Sequence, residues 1–271
     1  GISSGSATKF KIKNIPIAYF PKALYLPKAN LPITIPRKTG FLTPRISQGS
    51  RLGFGIQLPF FWAITDQIDF TLSPFYLTKR GFLMDMENQF KFREDFQGLI
   101  KLRYIRDIEK KGYGIEEEPE KNKWWLVSKI DYAIKPNLDM HLDLDLVSER
   151  GFLEEFDIGE GGYSTTRAQV LGRFNRDIED KTQEYRTSKL WIQYYRNSLY
   201  TRLENTYLDY HGALDSDTIL QPLFNLKFNF LPISIFDIIL PEVSLNYLYT
   251  YRKEGYYGDK IDTKIGITYP F

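Results

Sequence analysis

Cysteine is absent from the 271 residues, and histidine occurs only as His141 and His211. The first absence excludes disulfides, thiolate nucleophiles and cysteine-based zinc or iron–sulfur sites within this chain. The second leaves too few imidazoles for an HExxH zinc site, a multi-histidine centre or most histidine-based triads. We therefore expect no metal, no cofactor and no enzyme.

A strong charge of one sign and a long hydrophobic run are also missing. Basic residues number 36 and acidic residues 34, which leaves a net charge of +2 and gives no argument for a nucleic-acid partner. The most apolar region, 220–240, contains Lys227 and Asp237 and is broken by Pro222 and Pro232. A spanning helix needs roughly 20 mostly apolar residues, so none is predicted. A β-barrel stays open, because it crosses a bilayer without such a run.

Strict alternation of apolar and polar residues dominates what is present. A period of two is typical of a strand with one apolar face, and no segment keeps a 3.6-residue period over a useful length. We therefore predict an all-β chain. The clearest runs are 138–146, 224–230 and 261–269, and weaker ones cover about 68–77, 82–92, 97–107, 124–134, 185–195, 199–210 and 242–252.

Run length and aromatic content distinguish two kinds of β protein. Several runs span about ten residues, whereas globular strands average about 5–6 and tilted membrane strands need roughly 9–11. Aromatic residues make up 16% of the chain, and Trp62, Trp124 and Trp125 stand near strand ends, as in interfacial girdles. We predict an antiparallel transmembrane β-barrel with lipid-facing aromatics and a wet polar lumen. A soluble barrel or sandwich with an aromatic core is the alternative.

The connections between runs alternate in length. Those at 94–96, 135–137 and 197–198 are very short, whereas 109–123 and 148–184 are long and rich in charge. Short and long connections follow one another along the chain, as a barrel with two unlike ends requires. The acidic cluster Glu116 to Glu118 is then expected to be a solvated loop rather than a cation site.

Residues 1–37 differ from the rest. They hold Pro16, Pro21, Pro27, Pro32 and Pro36, and proline cannot donate to a β-ladder, so a run of central strands is not expected. The short alternating stretch 8–13 fits the edge of a small β domain. We predict one region at 1–37 and a barrel region at 38–271. The chain starts at Gly1 without an initiator Met, and we expect a mature or excised segment.

Residues 14–93 carry a specific series of motifs. The blocks are NIPIAYFP at 14–21, PRKTGFLTP at 36–44, LPFFWAI at 58–64, DFTLSP at 69–74, KRGF at 79–82 and ENQF at 87–90. In this order they closely resemble the LptD family of outer-membrane lipopolysaccharide-assembly proteins, also called organic solvent tolerance proteins. Beyond residue 93 the resemblance is weaker but continuous. Phe152 to Asp157 looks like the family's extracellular-loop motif, and 258–271 looks like a later strand.

The resemblance implies a periplasmic β-jelly-roll followed by a barrel of about 26 strands. This chain would be a fragment, with the end of the jelly-roll and the crossover in residues 1–37 and about twelve strands in 38–271. The implied function is that of an outer-membrane translocon subunit, which inserts lipopolysaccharide into the outer leaflet through a lateral gate between the first and last strands. The implied partners are lipopolysaccharide, the plug lipoprotein LptE, the periplasmic bridge protein LptA and outer-membrane lipids.

The resemblance also assigns two site residues, because Pro44 and Pro59 match family prolines in strands one and two. Each removes a ladder donor, so the pair would keep the seam of the barrel openable. The alternative is that both prolines lie at strand ends, where they are harmless. Some family members link the periplasmic domain to the barrel by cysteines, and none occurs here.

No other residue is predicted to act as a site. Asp139, Asp143 and Asp145, with His141 between them, are expected to line a polar, solvated lumen together with Lys227 and Lys264. Glu154, Glu155 and Asp157 are neighbours in a loop, and such residues rarely hold the carboxylate spacing of about 5–9.5 Å that glycoside hydrolysis needs. The competing functions are a general outer-membrane porin, which lacks the proline-containing blocks, and a soluble β-rich binding module.

Overall fold

The structure is a computed structural model, and it describes residues 8–12, 15–20, 38–109, 121–214, 216–230 and 240–268. In these ranges the chain forms sixteen strands, two α-helices and one short 3₁₀ turn at Ser216–Thr218. The strands are β1 (Thr8–Ile12), β2 (Ile15–Phe20), β3 (Gly40–Phe41), β4 (Arg45–Gly49), β5 (Gly53–Gln57), β6 (Phe60–Thr65), β7 (Ile68–Leu77), β8 (Gly81–Arg93), β9 (Phe96–Arg106), β10 (Asn122–Lys135), β11 (Leu138–Val147), β12 (Tyr185–Arg196), β13 (Leu199–Tyr210), β14 (Gln221–Phe230), β15 (Leu240–Tyr251) and β16 (Gly258–Thr268). The helices are α1 (Phe152–Glu155) and α2 (Tyr163–Phe174).

Strands β3 to β16 build one antiparallel sheet. From β16 back to β7, each strand pairs with its predecessor in the sequence. Strand β7 then pairs with β6 along its first half and with β5 along its second half, while β6 pairs with β3 and β5 pairs with β4. Two spans are thus each split into two segments, and the fourteen strands make twelve spans. The prediction of an all-β antiparallel fold with about twelve strands is confirmed.

The sheet is not closed. Within the described residues, the first span (β3 and β4) and the last strand, β16, each pair along one edge only. Strands β7 to β16 run for 10 to 14 residues, the length that a tilted transmembrane strand needs. This is the architecture of a partial barrel.

The alternating sequence gives the sheet two unlike faces. In β11, Asp143 and Asp145 are buried on the inner face, whereas Leu142 and Leu144 lie on the outer face and keep part of their surface exposed. On the same outer face, Trp62 is 52% exposed and Phe82 62% exposed. Apolar side chains therefore cover the side of the sheet that would meet lipid.

The two ends of the sheet also differ, as predicted from the connections. The turns at 94–95, 136–137 and 197–198 lie at one end, and the loops after β9 and β11 lie at the other. Most of the loop 109–123, including Glu116 to Glu118, lies outside the described residues.

The connection 148–184, called the insert below, is where the structure differs most from the sequence-based expectation. It contains both helices and packs on the inner face of the sheet, whereas the sequence indicated only a long, charged connection. Phe152, Phe156, Val170 and Phe174 of the insert are buried against the strands. The residues that complete this core include Phe75, Leu77, Leu83, Leu99, Ile105, Trp125, Val127 and Tyr163.

Part of the aromatic content therefore forms a core. The assignment of aromatics to the lipid-facing side holds for outer-face residues such as Trp62 and Phe82. It is wrong for Phe75, Trp125 and the aromatic residues of the insert. The apolar face of a sheet is buried when a second layer packs on it. Here the insert is that second layer.

The N-terminal strands β1 and β2 pair with each other in a separate two-stranded sheet. Residue 16, a proline, lies in β2, while Pro21, Pro27, Pro32 and Pro36 lie outside the described residues. The division into a jelly-roll remnant at 1–37 and a barrel region at 38–271 thus stays a prediction. In the part of the chain that the structure describes, no helix is long and apolar enough to cross a membrane.

Candidate functional site

The two predicted gate prolines stand at the breaks in the first two spans. Pro44 lies between β3 and β4, and Pro59 lies between β5 and β6. The segments on either side of each proline continue in line, because they pair with the same neighbouring span. Each proline therefore interrupts a span rather than capping its outer end. The register between the two spans also differs by one residue across the break, from Phe41↔Phe60 to Arg45↔Gln57.

A third proline extends the break to the next strand. The N–H of Leu42 donates to the carbonyl of Pro59 at 2.8 Å, and the N–H of Leu58 donates to the carbonyl of Pro74 at 3.0 Å. Neither Pro59 nor Pro74 can donate a bond in return, because proline has no N–H. Three neighbouring spans thus each lack a backbone donor at the same height of the sheet.

A cavity with both charged and apolar lining residues lies behind this break, between the inner face and the insert. Its volume is about 140 Å³, which is enough for several water molecules. Leu42 borders it on the first span and Ser73 on β7, while Glu87 and Lys101 contribute charge and Gly161 belongs to the insert. The side chains of Lys101 and Glu87 form an ion pair at 3.1 Å. The first spans therefore face a cavity that contains charged side chains on the inside and apolar surface on the outside.

A buried polar row connects the insert to the strands beside the break. The guanidinium of Arg103 donates to both carboxylate oxygens of Asp85, at 2.6 and 2.8 Å. It also donates to the backbone carbonyls of Phe156 and Ile158 in the insert. The amide of Gln57 donates to Asp85 at 3.0 Å. Because Asp85 and Arg103 are almost fully buried, each needs the other to offset the loss of water.

A second cluster fastens α1 at the long-loop end. Arg80, which is fully buried, pairs with Asp107 and Glu155, and its guanidinium lies 4.6 Å from the ring centroid of Phe156. Lys123 adds ion pairs of 3.4 Å to both carboxylates. Burial alone would raise the pKa of the Glu155 carboxyl, but the hydrogen bond and charge of Arg80, with the charge of Lys123, hold that pKa below its ordinary range. The pKa of Asp107 is lowered by the same balance.

A third cluster holds the end of α2 over β10 to β12. The guanidinium of Arg176 donates to Asp131 at 2.6 Å and to Asp143 at 2.9 Å. His141 bonds to Asp131 at 2.6 Å and stacks on Trp191, with ring centroids 4.8 Å apart. These residues lie on the inner face as predicted. However, side chains of the insert and of neighbouring strands bind them, so the expectation of a freely solvated row is wrong here.

The remaining predicted residues are also placed. Asp145 is buried, pairs with Arg186 and accepts a bond from the indole of Trp125 at 2.8 Å. Asp157 accepts bonds from Ser164 and pairs with Lys181 at 2.9 Å. Glu155 and Asp157 thus fasten the insert, and neither faces the other as a carboxylate pair. Lys227 and Lys264 border an open polar hollow on the inner face of β14 to β16.

Sequence reasoning missed the partners of the two prolines. Pro74 stands in one of the motif blocks, which was a signal, but no role was assigned to it. Gln57, Asp85 and Arg103 read only as polar positions of alternating strands. The contacts of Arg103 and Gln57 with the insert join residues 53 to 103 positions apart, which no local period encodes.

Comparison with known proteins gives a consistent result. A family model described as LptD protein matches residues 7–146. The LPS-assembly protein LptD of Vibrio vulnificus strain YJ016 is 30% identical over 216 residues, which cover 74% of this chain and 26% of that protein. The protein of the same name from Idiomarina loihiensis is 26% identical over 205 residues, covering 75% of this chain and 25% of its own length. That from Photobacterium profundum is 36% identical over 98 residues, or 36% of this chain. The chain thus spans about a quarter of the length of the first two.

Proposed function

The chain belongs to the LptD family, and from this premise we propose that it is part of an outer-membrane translocon that inserts lipopolysaccharide into the outer leaflet through a lateral gate. The break at Pro44 and Pro59 is the observation that carries this proposal. Both prolines lie in the first two spans, at the edge of the sheet that has no partner among the described residues. A seam that must open and close needs a weak ladder on at least one side, and missing donors weaken it.

The two faces of the sheet support the same proposal. A lipid that leaves sideways carries a charged, phosphate-rich headgroup and apolar acyl chains. At the break, the inner side offers the charged groups of Lys101 and Glu87 in the cavity, and the outer side offers exposed apolar residues such as Ile56, Leu58 and Trp62. Each part of the lipid therefore has a matching surface across one thin seam.

The cellular setting is part of the proposal. We place the sheet in the outer membrane, with residues 1–37 on the periplasmic side and the long-loop end outside. Lipopolysaccharide would arrive over a bridge that includes LptA, and the lipoprotein LptE would plug the lumen. The inner face of β14 to β16 includes Lys227 and Lys264 and borders open space, which leaves room for a partner in the lumen.

The proposal is tested by restoring the missing donors in the full-length protein. Changing Pro44→Ala together with Pro59→Ala returns two backbone N–H groups to the first two spans, next to the seam. We expect the strengthened ladder to lower lipopolysaccharide export, measured as the surface appearance of newly made lipopolysaccharide on intact cells. Pro241→Ala is the matched control, because Pro241 lies in β15, away from the break, and should leave export unchanged.

Unchanged export and unchanged antibiotic permeability in the double variant would overturn the gate. Co-purification distinguishes the wider alternatives. A translocon should co-purify with a plug lipoprotein when the full-length protein is extracted in detergent. A general porin should be extracted without one, and a soluble binding module should need no detergent.

A further inference from the structure

The turn between α1 and α2 reaches the first two spans from inside. The backbone N–H of Glu160 donates to Oε1 of Gln57 in β5 at 3.3 Å. The carboxylate of Glu160 forms an ion pair with Arg45 in β4. These are contacts to the two spans whose ladder the prolines interrupt. Arg45 directly follows Pro44, and Gln57 lies two residues before Pro59.

Glycine makes this close approach possible. Gly159 adopts φ +68, and a Cβ atom there would lie 2.7 Å from Oε1 of Gln57. A Cβ on Gly161 would lie 2.2 Å from Oδ1 of Asp85. Real Cβ atoms essentially never approach other heavy atoms so closely. The backbone of the turn 159–162 therefore packs directly on the inner face. Glu160 is the residue of the turn whose side chain extends to the first span.

The same turn is fastened to strands with an uninterrupted ladder. Lys101 in β9 donates to the carbonyl of Glu160 at 3.2 Å. Arg103, also in β9, donates to the carbonyls of Phe156 and Ile158 just before the turn. Strands β8 and β9 are paired along almost their whole length. The turn thus connects β8 and β9, which are paired with each other along almost their whole length, to the two spans whose ladder the prolines interrupt.

We propose that the turn 159–162 is an internal clasp, which holds the first two spans against the sheet and must release Arg45 and Gln57 before the seam opens. This inference rests on the proposed lateral gate. The anchored side is buried, as Arg103 and Asp85 are, whereas Arg45 and Glu160 keep 52% and 35% of their side chains exposed. Exposed ion pairs are weak, so the contact of Glu160 with Arg45 parts before the contact with the buried Gln57, and the turn stays attached to β8 and β9.

The experiment locks the clasp in the full-length protein and measures export in cells. Arg45→Cys with Glu160→Cys is bridged by a bis-methanethiosulfonate reagent, and reductant then cleaves the bridge. We expect bridging to reduce the surface appearance of new lipopolysaccharide at least tenfold and reduction to restore it. The matched control is Arg150→Cys with Glu184→Cys. This ion pair of 3.4 Å has similar exposure but joins the two ends of the insert without touching the first spans.

Normal export with the Arg45–Glu160 bridge in place would overturn the clasp, and so would an equal block by the control bridge. A charge exchange gives a second reading without a cross-link. Arg45→Glu and Glu160→Arg should each make cells at least fourfold more sensitive to large antibiotics, and the double exchange should return sensitivity to within twofold. Equal sensitivity in single and double variants would contradict the proposal.

Failure of the clasp and failure of the gate are distinguishable. If Pro44→Ala with Pro59→Ala lowers export while the bridged clasp does not, the gate stands and the clasp is wrong. If neither change affects export, both proposals fail.

Discussion

Arg103 joins three parts of the molecule through one guanidinium. It pairs with Asp85 on the neighbouring strand and donates to two backbone carbonyls of the insert. Lysine could keep the charge but not this planar fork of donors. At the residue scale, the inner face is therefore built from specific pairs rather than from general polarity.

Arg103→Met should destabilise the full-length protein by about 3–5 kcal/mol, because it leaves Asp85 buried without its charge partner. Arg103→Lys should fall between this variant and the unchanged protein. The measurement is urea unfolding from lipid vesicles. Arg106→Met, at an exposed position of the same strand, should change stability by less than about 0.5 kcal/mol. Equal effects at the two positions would show that the buried pair adds nothing.

The same residues show the limit of sequence reasoning at this scale. Alternation places Asp85, Lys101 and Arg103 on the polar face correctly, but it does not reveal what covers them. Pro44 and Pro59 were found through the family resemblance. Pro74 was not assigned, because its position opposite Leu58 depends on how β7 pairs with the second span. The local sequence does not determine which residues of neighbouring spans pair.

The strands and the helices of this chain differ in how well the sequence predicts them. All ten strands from β7 to β16 agree with the alternating runs to within three residues at each end, because every second residue must face lipid or the interior. Helix α2 was missed. Its buried stripe is Tyr163, Thr166, Val170 and Phe174, which has helical spacing but includes one polar residue and only three apolar ones. So sparse a stripe does not stand out in a window of twelve residues.

At the element scale, docking of the insert on the sheet should depend on pH. Burial raises the pKa of the Glu155 and Asp107 carboxyls. The hydrogen bonds and charge of Arg80, together with the charge of Lys123, lower these pKa values by more, so both lie below the ordinary range. Groups with a lowered pKa stabilise the folded arrangement above the ordinary carboxyl range and lose that contribution as the pH falls through the lowered pKa. The insert should thus stay docked from about pH 8 to pH 5 and loosen below about pH 4.

An environment-sensitive fluorophore on Gly172→Cys reports this transition, since nothing lies within 4 Å of a Cβ at that position. Arg80→Met removes the main partner of both carboxyls, so the midpoint should move to higher pH. Glu109 and Glu149 also form ion pairs in this cluster, with Arg80 and Lys123 respectively. A midpoint that Arg80→Met leaves in place would show that these carboxyls do not hold the insert.

At the scale of the whole molecule, three layers follow one another. The outer face is apolar, the sheet is one strand thick, and the insert covers the inner face beside the first spans. The weakest ladder and the most heavily covered interior therefore lie in the same half of the sheet. This arrangement fits the proposed gate, in which the sheet would open at one place and the insert would keep solutes out while the seam is closed.

The placement of the sheet in a bilayer predicts a difference between two isoleucines. Ile100 lies on the outer face in the middle of β9, and Ile108 lies beyond the end of that strand, where it is 57% exposed. Arginine on the lipid face costs about 2–4 kcal/mol at the membrane midplane and about 0–1 near the interface. Unfolding of the full-length protein from vesicles should therefore show a clear loss of stability for Ile100→Arg and little for Ile108→Arg. The next residue, Lys101, carries a charge on the inner face at nearly the same depth. The expected cost at Ile100 therefore comes from the face of the sheet and not from the depth alone. Equal tolerance of arginine at both positions would mean that water, and not hydrocarbon, covers the outer face of the sheet.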